Sequence, residues 1–344
     1  MEKDKITTLK VAGTYIGTVV GAGFASGQEI LQFFVSFGKA GFLGIFVITL
    51  LFMFIGYIVM DLGYKLKARN HLPIVRKTGG RILGTFSDIV ITFFLFGALT
   101  AMIAGSGAIF AQEFNLHPLI GSFFMALISI ITVMGGFHGT INSISFVVPF
   151  LIVSAIGVSI ASILISPASC FREIPRSGIL RNWLWSSILY VSYNSVTAIS
   201  ILGPLGYSAG NKKVIRNGAL LGGIGLGLGA GAIFISLYIN SGTIYDLEVP
   251  MLFVAGRISP LIKIFYSVIL LAEIYTTAVS DLYGFTARIC TKEKNRPFLI
   301  IISTASAFLL SLAGFSNLVR YLYPIVGYCG IITLLGIVYH RFKS

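Results

Sequence analysis

The sequence predicts an all-α polytopic membrane protein of about ten transmembrane helices, arranged as a 5+5 inverted repeat with helices 1 and 6 interrupted. Three observations predict it. The 344 residues are 56% hydrophobic and only 11% charged, with a mean hydropathy of +0.92, whereas a soluble chain carries roughly a quarter charged residues. Uncharged runs such as GFLGIFVITLLFMFIGYIVM (41–60) have the roughly 20-residue length that crosses a bilayer. Two of the runs, the first and the sixth, carry small or polar residues at their centres.

Apolar runs fall at approximately 7–36, 41–64, 84–113, 118–135, 140–165, 181–205, 213–240, 257–287, 296–315 and 318–340. Short connections make residues 1–344 a single membrane domain, with repeats at approximately 7–165 and 181–340. The opening MEKDKITTLK lacks a separate apolar core before a cleavage site, so no cleavable signal is evident.

Segments 1–10, 65–81, 212–216, 288–296 and 341–343 hold 18 of the 25 basic residues. Lys39, Arg172, Arg176, Arg181, Arg257, Lys263 and Arg320 are the others. The positive-inside rule then places a multi-pass protein in the cell membrane with both termini cytoplasmic. The net charge of +13 reads as a topology signal that also meets anionic membrane lipid, and it requires no nucleic acid partner. Cys170, Cys290 and Cys329 have neither disulfide nor metal spacing.

Span one contains GTVVGAGFASGQE (17–29), whose Gly21, Gly23 and Gly27 mimic a dinucleotide loop. Such a loop needs a preceding strand and an acid about 20 residues downstream. Here the next stretch is itself a span, and the first acid past Glu29 is Asp61, 38 residues beyond Gly23. The glycines instead weaken the helix by about 1 kcal/mol each relative to alanine. Unwound backbone at membrane depth persists only where it lines a cavity or is buried in protein. A second half-helix beginning near Ser26 would aim bare N–H groups at an anion. Close helix packing through small residues is the alternative.

Span six is polar at Ser192-Tyr193-Asn194-Ser195, and Pro204 ends it; it reads either as a second break or as an unbroken helix with a polar packing face. The glycines of GALLGGIGLGLGAGAIF (218–234) in span seven are most simply a close-packing face.

Span eight places Glu273 near its middle, where an ionised carboxylate is costly unless paired or solvated. Glu273, Thr276, Thr277 and Ser280 recur at helical spacing and share one face. Hard oxygens on one face suit a small alkali cation, a proton relay through the carboxylate, or interhelical hydrogen bonds. Asp281 is weaker, being near the exit with Arg288. Glu29 either lines the outer vestibule or pairs with a basic residue, and Glu273 or Glu29 could meet a solute ammonium, while Asp61, Asp88 and Glu113 at span ends are solvated or paired. The four histidines are dispersed, without metal spacing.

On these residues, GTVVGAGFASGQE above all, the chain resembles the YkvI-type bacterial membrane proteins along essentially its full length. That family is related to the amino acid–polyamine–cation superfamily, whose fold is LeuT-type. The resemblance implies one sodium ion between helices 1 and 8, held by the carbonyls of Gly17, Val20 and Glu273 and the hydroxyls of Thr276 and Thr277. It also implies a solute carboxylate on the amides of Ala22 and Gly23, with Tyr193 and Asn194 contributing from helix 6. The substrate-binding set is Gly21, Ala22, Gly23, Phe24, Ala25, Ser26, Tyr193, Asn194, Ser195 and Glu273. Phe24 stands where some relatives place an asparagine for a second sodium, which argues against a second ion. Span five lacks the lysine that replaces sodium in some proton-coupled relatives.

The expectation is a cation-coupled secondary transporter of a small amino-acid-like or amine-bearing solute, working by alternating access, with sodium as candidate coupling ion and no other cofactor. Tyr15, Trp183, Trp185, Tyr190, Tyr193 and Tyr275 could alternatively cage a quaternary amine, although packing or interfacial anchoring is their simpler role, above all for Trp183 and Trp185. A proton-coupled carrier using Glu273 and a transporter-like sensor that binds without transport are the competing readings. An intramembrane enzyme lacks a recognisable nucleophile–base pair. Solute identity and oligomeric state are left open, a monomer included.

Overall fold

The computed structural model describes residues 6–68, 71–135, 137–165, 178–290 and 293–343. Lys3, Lys5, Arg69, Cys170, Arg172, Arg176 and Lys292 lie outside the described residues, as do the side chains of His138 and Lys343.

The first crossing is split into α1 (Thr8–Val19), α2 (Ala22–Ala25) and α3 (Gln28–Phe33). There follow α4 (Lys39–Lys65), α5 (Leu72–Phe114), α6 (Pro118–Met134), α7 (Phe137–Ile165), α8 (Trp183–Ala209) and α9 (Lys212–Ile239). Two short helices, α10 (Ser241–Ile244) and α11 (Pro250–Ile258), precede α12 (Pro260–Ile289), α13 (Arg296–Ser311) and α14 (Phe315–Lys343). Among the described residues, α4, α8, α9, α12, most of α14 and the Gly84–Phe114 part of α5 are long and apolar enough to cross a bilayer. Shorter apolar helices are α6, α13 and the Phe150–Ile165 part of α7.

Local chemistry sets the ends. Asn182 caps α8 by accepting from the Trp185 amide at 2.8 Å, and Asn211 caps α9 through Lys213 at 2.8 Å. Between α8 and α9 the chain reverses through Gly210 at φ +62°, a left-handed C-terminal stop that glycine accepts without strain. Span eight begins at Pro260 rather than 257, because extended Ser259 caps α12 through Leu261, and Arg257 belongs to α11.

The inverted repeat is visible in which helix lies on which. α1 packs on α9 as α8 packs on α4; α5 packs on α6 and α14 as α12 packs on α13 and α7. Directions follow from the registers. In α9, Gly218 faces Val11 and Gly222 faces Tyr15, so α1 and α9 run parallel, while Gly223 on Met53 and Gly227 on Thr49 set α9 antiparallel to α4. Gly44 on Ser187 and Gly63 on Gly203 make α4 and α8 parallel. Counterparts α1 and α8 therefore run in opposite directions. The α9 glycines are the close-packing face expected of them, since small residues let helix backbones approach in lipid.

The expected interruption of helix 6 is not present: α8 is continuous from Trp183 to Ala209 and runs through Pro204 instead of ending there. Some of its polar side chains bond the helix's own carbonyls, while Ser192 Oγ donates to Gly327 O at 2.7 Å and Tyr193 to Glu29. Asn194 Nδ2 donates to Tyr190 O at 3.0 Å, Thr197 Oγ1 to Asn194 O at 2.9 Å and Ser200 Oγ to Thr197 O at 2.8 Å. The polar centre thus decorates the helix without breaking it, and the membrane tolerates proline where neighbours re-satisfy the backbone.

Candidate functional site

The break in α1 begins where helical backbone stops at Val19. Val20 is extended at φ −76° and ψ 112°, and Gly21 is extended at φ −129° and ψ −171°. Helical bonding resumes with the Ala25 amide on Gly21 O at 3.0 Å. Among the described residues, the amides of Gly21 to Phe24 and the carbonyls of Gly17 to Val20 lack backbone partners. A second reorientation occurs at Gly27, whose φ of +82° suits glycine, and the helical chain restarts at Gln28 rather than near Ser26.

The segment is pinned from the far side. Tyr266 donates its hydroxyl to Ala25 O at 2.6 Å, the Met251 amide bonds Ser26 O at 3.0 Å, and Gln28 Nε2 bonds Leu247 O at 2.7 Å. Ser26 folds inward, with Oγ donating to Gly23 O at 2.9 Å. Backbone with few bonds of its own is held by neighbours, which fixes the break in place.

A cavity of about 420 Å³ opens beside the break. It is lined by Gly17, Val20, Gly21, Ala22 and Gly23 from the broken crossing, by Tyr193 and Asn194 from α8, and by Glu273, Thr276, Thr277, Ser280 and Asp281 from α12. Phe94 of α5 and Tyr323 of α14 complete its aromatic wall. The sequence-derived cation set of Gly17, Val20, Glu273, Thr276 and Thr277 therefore meets in one space. Those residues carry three backbone carbonyls and two hydroxyls, the hard-oxygen type that alkali cations favour. Thr276 Oγ1 donates to the Glu273 carbonyl at 3.0 Å, leaving its lone pairs as acceptors. Among the described residues, no group of three His, Cys, Asp or Glu side chains could hold a metal ion.

Phe24, Ala25, Ser26 and Ser195 do not line this cavity. All four are buried, and Ala25 and Ser26 serve the pinning just described. The proposed aromatic cage is also dispersed: Tyr15 bonds Phe52 O at 2.7 Å, Trp185 bonds Tyr328 at 2.7 Å, and Tyr275 bonds Thr132 at 2.8 Å. Of the six aromatics, Tyr193 is the one that lines the cavity.

Glu29 neither lines an outer vestibule nor pairs with a basic residue among those described. Its carboxylate turns back into the cavity, where Oε2 accepts from Tyr190 at 3.1 Å and from Tyr193 in a short bond. The same carboxylate lies over Gly23, on the side where any side chain would stand. Asp281 is likewise a cavity residue: it is 8% exposed, and its Oδ2, like Oε2 of Glu273, has no hydrogen-bond partner. Sequence spacing could not place Glu29 beside Gly23, because Gly27 redirects the chain between them.

The cavity extends past Thr18, Thr197, Ser200 and Gly284 toward Arg288, on the face where the chain begins. There Arg288 pairs closely with Asp88, which His71 Nε2 also approaches at 3.2 Å. Burial and the Arg288 charge hold the His71 imidazole below its ordinary range despite Asp88. Toward the opposite face, Phe33, Phe34, Phe52 and Tyr190 interlock with ring centroids 5.0–6.4 Å apart. Gln32 bonds Arg320 at 3.2 Å beyond them. The span-end acids are paired, Asp61 with Lys65 and Arg341 and Glu113 with Lys263.

No family model matches the chain. Among solved structures, the inward-facing conformation of Mhp1 superposes with a TM-score of 0.65 at 14% identity, over 96% of this chain and 76% of that one. MhsT in complex with L-phenylalanine superposes with a TM-score of 0.60 at 16% identity, over 96% of this chain and 87% of that one. These likenesses establish the LeuT-like fold. The chain is 30% identical over 334 residues to the membrane protein YkvI of Bacillus subtilis (strain 168), covering 95% of this chain and 94% of that protein. With that identity along nearly its whole length, the chain belongs to the YkvI family of membrane proteins.

Proposed function

We propose that the protein is a cation-coupled secondary transporter of a small amino-acid-like or amine-bearing solute, with sodium as the coupling ion. It works by alternating access in the cell membrane, with both termini cytoplasmic. One observation carries the reading: the unpaired carbonyls and amides of the α1 break face the Glu273–Thr277 oxygens of α12 across a single cavity. A LeuT-like fold places its binding site at such a discontinuity.

With the N-terminus inside, the cavity leads toward the cytoplasm and the aromatic cluster closes the outer side, an inward-facing arrangement. The likeness to Mhp1 in its inward-facing conformation supports this assignment. The amino-acid-like character of the solute is supported by the likeness to MhsT, which was solved with L-phenylalanine. A cation between α1 and α12 would draw the two together, because its ligands come from both. Its binding would then bias the protein between states.

Proton coupling is the second reading, favoured by Glu273 Oε2, which is buried without a partner. Uptake into proteoliposomes separates the two. An imposed sodium gradient should drive accumulation of a binding solute at constant pH, and Thr277→Ala should move that dependence to roughly tenfold higher sodium. Accumulation that follows a pH gradient and ignores sodium would assign the coupling to the proton instead. Ligand stabilisation without uptake under either gradient would leave a sensor.

A further inference from the structure

We propose that the solute is a cationic amine lacking a carboxylate, its ammonium seated between Glu29 and the rings of Phe94, Tyr193 and Tyr323. This rests on the carrier reading and names the substrate class of the same cavity.

The first support is occupancy around the α1 break. In the expected amino-acid mode, a solute carboxylate takes the amides near Ala22 and Gly23. Here the protein's own Glu29 carboxylate lies over Gly23 without bonding those amides, and it would repel a second carboxylate brought beside it. Tyr190 and Tyr193 fix its Oε2, whereas Oε1 receives no hydrogen bond from the described residues. Glu29 is 5% exposed, so a seated acceptor of this kind seeks a donor from the solute.

Charge is the second support. Glu29, Glu273 and Asp281 line the cavity against a single basic residue, Arg288, which Asp88 already engages at the mouth. Among the described residues no ion pair reaches Glu29, Glu273 or Asp281, and Glu273 Oε2 and Asp281 Oδ2 are buried without a hydrogen-bond partner. One alkali ion at the α1–α12 oxygens would offset part of it, and a solute ammonium would offset more. A solute carboxylate would add to it without a counter-charge.

The third support is the aromatic wall. Phe94, Tyr193 and Tyr323 pack together with centroids 5.1–6.1 Å apart, and all three line the cavity next to Glu29. Ring faces beside a carboxylate favour a desolvated ammonium, and their apolar area accommodates a hydrocarbon or aromatic body.

The test uses the purified full-length protein in lipid nanodiscs, with sodium present. Thermal unfolding is followed against phenethylamine, L-phenylalanine and 2-phenylethanol, which share one ring and differ in charge. Phenethylamine should raise the midpoint saturably, and the other two should not at matched concentration. Glu29→Gln should weaken the phenethylamine response at least tenfold. A response to L-phenylalanine equal to or above that of the amine would overturn the proposal. So would no response to any of the three, or a full response in Glu29→Gln. Should that variant not fold, Phe94→Leu keeps apolar bulk while removing a ring face, and an undiminished amine response there counts against the proposal. Sodium-dependent binding of L-phenylalanine would sink this inference and leave the carrier intact. Amine binding without gradient-driven uptake would do the reverse.

Discussion

α1 and α8 hold equivalent places in the two repeats, yet one is broken and the other is not. At the centre of the first crossing, just past the end of α1, Gly21 and Gly23 offer no side chain to support a helix, and the amides of Gly21 to Phe24 are bare. At the centre of α8, Asn194 and Thr197 bond carbonyls three or four residues back, and every residue from Trp183 to Ala209 stays helical. Polarity alone therefore does not open a membrane helix; a missing side chain combined with outside anchorage does. The division of labour follows: α1 presents peptide groups to the cavity, while α8 presents the Tyr193 and Asn194 side chains.

Filling the α1 break is the harshest way to erase this contrast. Gly23→Val would force the Glu29 carboxylate from its seat, at a cost of about 1–3 kcal/mol for overpacking. Solute affinity in a titration should fall about a hundredfold, the upper end of that range. Removing one oxygen opposite the break comes next. Thr277→Ala should weaken sodium binding roughly tenfold, as expected for a lost ion–dipole contact, read from the sodium dependence of the unfolding midpoint.

A milder change tests α8. Asn194→Ala removes a bond within the helix, so stability should drop by about 1 kcal/mol while α8 stays intact. Hydrogen exchange should show residues 190–197 protected in that variant, and 21–24 exchanging fast even in the parent protein. The smallest effect lies at the cavity mouth, where pairing runs between elements instead of within one. The His71 side chain is 12% exposed and its affinity for protons is lowered in the folded state. The unfolded chain then binds a proton first as pH falls through about 6.5, so folding stability decreases below that pH. In His71→Gln, the decline in melting temperature between about pH 7 and pH 5.5 should be shallower.

Much of this architecture can be read from the chain itself. Helical order, the α1 break, the α9 packing face and the Glu273–Thr277 stripe each depend on local spacing, which sequence records directly. What escaped depends on redirection in space. Gly27 turns α3 so that Glu29 doubles back over Gly23, and nothing in the spacing of 23 and 29 announces this. Phe94 and Tyr323 come from helices far apart in the chain, so neither marks itself as a cavity residue. Pro204 and the polar centre of α8 looked like interruption because side-chain hydrogen bonds to the same helix leave no signature distinct from those that compete with it. The short α10 and α11 lie between the predicted spans 213–240 and 257–287, only the last two residues of α11 overlapping the latter, since their mixed composition carries no membrane period.

Direct binding of radioactive sodium to the purified protein, compared with Thr276→Ala and Thr277→Ala, bears most closely on the assignment. Sodium should bind saturably to the parent protein and roughly tenfold more weakly to each variant, with solute binding enhanced when sodium is present. Absence of saturable binding, or binding unchanged by both substitutions, would contradict a cation site between the broken α1 and α12.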